Sequence, residues 1–190
     1  MRILISIEEI TKKIHPRIAH LFIIMCSVFV TLLLIDINFG FFNQIPRRSA
    51  IGIGKMAGSM ALLFGGMTCL YYVLREVYVG LRRKSFFHTL LENRIKIIIQ
   101  ILRHIHPLCG AFVFLLVFSH AYILWYVAGK SATPAFYSGL CAFLLIGLVT
   151  AMGLYIVYKP NYLQLRKTHR ILSGILIAFV ALHLMIVSLK

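Results

Sequence analysis

Five long apolar runs, at 19–42, 51–78, 106–128, 136–158 and 169–189, leave this chain few ways to fold. A segment that crosses the roughly 30 Å hydrocarbon core of a bilayer must satisfy its own backbone hydrogen bonds, which a helix of about 20 residues does. Composition agrees: 61% of the 190 residues are hydrophobic and the mean hydropathy is +0.91, outside the range of soluble domains. The expectation is one domain over 1–190, an all-α integral membrane protein built as a five-helix transmembrane bundle. Between the second and third runs, Phe86, Phe87, Leu90, Leu91, Ile95, Ile98, Ile99 and Leu102 recur near helical spacing among charged residues. This stretch predicts an amphipathic surface helix before the third span, with Pro107 marking a new start or a kink. The first run is too long for a signal-peptide core and is expected to remain as an uncleaved helix.

Twenty Lys and Arg against five acidic residues would point a soluble protein toward nucleic acid. Here the cations flank apolar spans, as in membrane proteins generally, so lipid is the expected partner and nucleic acid is not. Counted on alternate sides of five spans, fourteen fall with the N-terminus, 82–103 and 159–170, and five fall with Arg47, Arg48, Lys55, Lys130 and Lys190. The positive-inside rule then predicts a cytoplasmic N-terminus and an outer C-terminus, in the cytoplasmic or inner cell membrane. Tyr122, Trp125 and Tyr126 read as an aromatic belt at the far end of the third span.

Two of the spans carry the same device. His106 and His120 are 14 residues apart, as are His169 and His183, each pair enclosing an apolar run. Fourteen residues make nearly four helical turns, a rise of about 21 Å, so both histidines of a pair share a face at two depths. One intervening span makes the two His-bearing helices parallel, with His106 level with His169 and His120 level with His183. Imidazoles facing each other at two levels suit the axial ligation of two six-coordinate b-type haems, with irons about 21 Å apart along the helices. Gly110 and Ser173, one turn after the first histidine of each pair, read as thin places for a flat macrocycle.

These stretches, with Gly54-Lys55-Met56-Ala57-Gly58 opening an earlier helix, resemble the ferric reductase-like transmembrane domain, the haem-carrying part of ferric reductases and NADPH oxidases. They are also similar to the stand-alone haem subunit of the bacterial methionine sulfoxide reductase system. The resemblance covers about 50–190 and implies the iron ligand pairs His106/His169, on the cytoplasmic side, and His120/His183, on the outer side. It implies two non-covalent haems b and an electron-transfer subunit of an oxidoreductase, whose catalysis needs a partner.

Around that reading, Arg103, Arg166, Arg170 and Lys55 are candidates for holding haem propionates, since guanidinium and ammonium groups pair with carboxylates. The sequence shows no dinucleotide fingerprint after a strand, so a flavin or nicotinamide is expected on a partner rather than in this chain. The four cysteines stand singly in apolar spans, with no C-x-x-C-H for covalent haem. The function expected is electron relay from a cytoplasmic-side flavoprotein or quinol to an extracytoplasmic acceptor or redox protein. A neighbouring reading is a haem-bearing anchor that oxidises quinol for a larger complex, with Arg17 and His20 as the quinol-side candidates. A competing class, a metal or solute transporter with histidines as transient ligands, calls for acidic residues in the spans, where only Asp36 stands, and for broken helices.

Overall fold

The computed structural model describes residues 44–83, 89–128, 133–158 and 162–189, together with the isolated positions Ile24, Ser27, Val28, Thr31, Asp36 and Gly40. The described residues form four long helices: α1, Arg47–Arg83; α2, Thr89–Ala128; α3, Pro134–Tyr158; and α4, Leu163–Ser188. All four are long and apolar enough to cross a membrane. The chain is therefore a multi-pass membrane protein.

The expected five-helix bundle with a separate surface helix is corrected by this arrangement. Four helices carry the described chain, and the expected amphipathic stretch is the first part of α2, continuous with the third span. Pro107 lies inside that helix without ending it. Proline removes one N–H and one helical hydrogen bond, but in an apolar setting any further opening would strand backbone groups with no water to satisfy them, so the helix runs on. Residues 90–102 of that stretch were rightly read as helical and wrongly given a helix of their own, and Phe86 and Phe87 lie outside the described residues. At about 1.5 Å per residue, the 40-residue α2 is some 60 Å long, about twice the hydrocarbon thickness. The remaining expected spans 51–78, 136–158 and 169–189 correspond to α1, α3 and α4. The expected first span, 19–42, lies outside the described residues save for its isolated positions.

The chain divides into two compact units. One comprises Met1–Ile45 and Thr68–Leu108. In it the end of α1 meets the start of α2 through Glu92, which accepts a hydrogen bond from the Tyr78 hydroxyl at 3.0 Å and pairs with Lys96 at 3.5 Å and Arg82 at 3.7 Å. The Tyr78 hydrogen bond is the main reason the Glu92 carboxyl titrates below the ordinary value; burial opposes it, and the two cations add to it. Asp36 is buried in the same unit, and its carbonyl accepts from the N–H of Gly40, whose φ of 59° is the left-handed conformation glycine tolerates.

The other unit comprises Pro46–Met67 and Cys109–Lys190. Its best-buried positions are mostly small: Ala50, Ala57 and Ala61 on α1, Ala111 on α2, and Ser138 and Ala142 on α3. In lipid the gain comes from close backbone approach rather than from hiding apolar surface, so small residues mark the helix contacts and large ones turn outward. Leu63, Leu144 and Ile171 illustrate the outward set. Ala61, Val113 and Ile146 form the central cluster, flanked by Phe64, Phe114, Leu116, Val117 and Leu176. Helix α3 starts on Thr133, whose Oγ1 accepts the N–H of Phe136 at 3.3 Å, with Pro134 at the first helical position. Rings close both ends of this unit: Trp125 packs on Phe136, with centroids 4.8 Å apart, and Tyr155 on Tyr162, at 6.2 Å. The expected aromatic belt at the end of α2 is present, with Tyr122 stacked on Tyr126.

Candidate functional site

Three of the four singled-out histidines, His120, His169 and His183, belong to the second unit, and each sits against a glycine of another helix. A Cβ placed on Gly58 would lie 2.8 Å from His120 Nδ1. One on Gly139 would lie 3.0 Å from His183 Cε1, and one on Gly153 would lie 3.2 Å from His169 Cε1. Only glycine allows these rings so near the helix surface. The two α3 glycines are 14 residues apart and meet, in reversed order, the two α4 histidines 14 apart. Helices α3 and α4 are therefore antiparallel, as the sequence predicted for the fourth and fifth spans, and the structure adds that they are in register at both levels.

Two of these rings are also tied to the neighbouring helix by hydrogen bonds. His120 Nδ1 lies 2.8 Å from the carbonyl oxygen of Gly54. His183 is hydrogen-bonded to the backbone of Ala135, and its Nδ1 is 3.0 Å from Ser138 Oγ. That hydroxyl donates to the Ala135 carbonyl at 3.1 Å, so it accepts from the imidazole. For His120 and His183 these contacts place the proton on Nδ1 and the lone pair on Nε2, the arrangement in which an imidazole ligates a metal.

His106 belongs to the first unit, where its ring lies against Tyr71 with centroids 5.3 Å apart. Of the propionate candidates, Arg166 is half-buried and its Nε is buried with no hydrogen-bond partner among the described residues. It precedes His169 by three residues, just under one turn, and shares its face. Arg103, Arg170 and Lys55 are exposed. The quinol-side candidates Arg17 and His20 lie outside the described residues. Gly110 faces open space, and Ser173 Oγ donates to the His169 carbonyl at 2.7 Å. Gly54 does act as a close-contact glycine, with Leu124 Cδ2 3.0 Å from where its Cβ would be.

Between the two histidine levels of this unit, Phe114 stacks on Phe143 at 6.0 Å, and Phe118 meets Phe143 edge-on at 5.6 Å. Among the described residues no group of three or more His, Cys, Asp or Glu converges as a metal cage. A haem iron needs one imidazole from each side, and the donor chemistry here fits that: Nδ1 tied to the scaffold at His120 and His183, which leaves Nε2 for a metal, and a buried Arg166 guanidinium N–H in want of an acceptor. Sequence reasoning missed Gly139, Gly153 and Ser138, although a glycine pair repeating the 14-residue interval on the intervening helix was there to be read. No protein-family model matches the chain, and no curated protein or solved structure matches it.

Proposed function

We propose that this chain is a haem-bearing membrane protein of the b-cytochrome type, resembling the ferric reductase-like transmembrane domain. The observation that carries the reading is His120 and His183 in one unit, each against a glycine of another helix and each with Nδ1 hydrogen-bonded to its scaffold. His120 and His183 are the ligand pair. The repeated 14-residue spacing extends the proposal to a second pair, His106 and His169, and this extension rests on the sequence. Bound haem supplies a one-electron couple, and two at different depths would relay electrons from a cytoplasmic-side flavoprotein or quinol to an extracytoplasmic acceptor.

The protein's own residues do the rest. The Gly54 and Ala135 carbonyls and the Ser138 hydroxyl hold the rings in one tautomer. The Arg166 Nε–H is a donor for a propionate near His169. Lipid-facing side chains of α1 to α4 keep water from the spans. The cell membrane, with the N-terminus cytoplasmic, is the location the charge asymmetry favours. The test is an absorption spectrum and haem assay of protein purified from haem-sufficient cells. A b-type spectrum that is reduced in His120→Ala and in His183→Ala supports the reading, and protein without haem ends it.

A further inference from the structure

The Gly58 contact has a detail that goes beyond space for a ring. His120 Nδ1 reaches the carbonyl of Gly54, the residue four before that glycine, at 2.8 Å. Helical side chains lean toward the N-terminus, so the side chain at one position covers the turn that holds the carbonyl four residues earlier. That oxygen already accepts the N–H of the glycine itself and has one lone pair left. Without a Cβ, the second lone pair is open to a donor from outside the helix.

We propose that Gly58 is a positioning residue: it uncovers the carbonyl of Gly54, and that carbonyl fixes His120 as the Nδ1–H tautomer. The inference deepens the haem reading at one point, because it makes Nε2 the atom available to a metal, and only there does it rest on that reading. A Cβ on Gly58 would lie 2.8 Å from His120 Nδ1, so an added methyl group collides with the ring at the atom that donates.

The test reads the tautomers directly, in the full-length protein purified before haem is added. With 15N-labelled histidine, the Nδ1 and Nε2 chemical shifts of the neutral rings report which nitrogen holds the proton. The expected wild-type result is Nδ1–H at His120. Gly58→Ala shifts His120 toward Nε2–H and leaves the other histidines unchanged. Gly174→Ala, where a Cβ meets nothing within 4 Å, leaves His120 unchanged. Nε2–H at His120 in the wild type overturns the proposal without any variant having to fold. Gly58→Ala with an unaltered His120 tautomer also overturns it. Expected tautomers in a protein that then takes up no haem support the positioning claim and remove the ligand reading.

Discussion

Removing the hydroxyl of Ser138 changes one ligand's surroundings and almost nothing else. Ser138 is buried, donates to the Ala135 carbonyl and accepts from His183. Ser138→Ala keeps the helix and leaves the Ala135 carbonyl as the remaining acceptor for Nδ1–H. An acceptor at Nδ1–H makes the imidazole a stronger donor and so favours the oxidised metal; its loss raises the midpoint potential of the group on His183. The net worth of one such hydrogen bond is about 0.5–1.5 kcal/mol. At about 1.4 kcal/mol per tenfold change, and about 59 mV per tenfold for one electron, the upper limit of the shift is about 20–65 mV. The retained carbonyl puts the expected value in the lower half of that range. A redox titration of purified wild type and Ser138→Ala, followed at the haem absorption bands, measures it. A potential that stays the same, or falls, in a variant with full haem content refutes the argument that Ser138 acts on the ligand.

Four further outcomes follow from the same geometry. Gly54→Leu disrupts the contact with Ile123 and Leu124, while Gly52→Ala, which faces open space, stabilises α1 by about 0.5–1 kcal/mol through better helix propensity, both seen in thermal unfolding in detergent. Arg166→Gln shifts the potential or occupancy of a haem held near His169 whereas exposed Lys167→Gln does not, and equal behaviour of the two reduces Arg166 to a topological cation. Because the Glu92 carboxyl is held below its ordinary value of 4.5, its contribution to stability is present above that pH and is lost as pH falls through the lowered value. Tyr78→Phe removes the main cause, so unfolding midpoints of the variant fall less on acidification through that window than those of the wild type. In sealed vesicles of known orientation, with a reductant inside and an impermeant acceptor outside, acceptor reduction that disappears in His120→Ala establishes relay across the membrane, and haems re-oxidised only from the cytoplasmic face reject it.

What the sequence disclosed depended on periodicity. Apolar runs and helical spacing located α1, α3 and α4 within a few residues, and the 14-residue repeat singled out His120, His169 and His183, each of which lies against a glycine of another helix. Helix boundaries at polar residues were less legible. Pro107 reads as a break in one dimension, but the penalty for opening a backbone in lipid exceeds the one hydrogen bond that proline removes, so α2 continues through it. The parts of the site that bond to the histidines were hidden for a different reason. Gly54 and Ala135 contribute only main-chain oxygens, which no side-chain pattern reports, and Gly139 and Gly153 contribute the absence of a side chain. Ser138 looked like any small polar residue in a span until its hydroxyl was placed beside His183.

The equal step of 14 on α3 and α4 also determines where this chain can tolerate changes in length. Residues added to the turns beyond either helix leave both glycine–histidine meetings intact. One residue added between Gly139 and Gly153, or between His169 and His183, rotates everything beyond it by about 100° and advances it by about 1.5 Å, so at most one of the two meetings survives. Hydropathy would scarcely register such an insertion, since both segments would still be apolar and long enough to cross. Natural length variants that retain both meetings should therefore vary in the connections around 129–133 and 159–162, or change the two helices together.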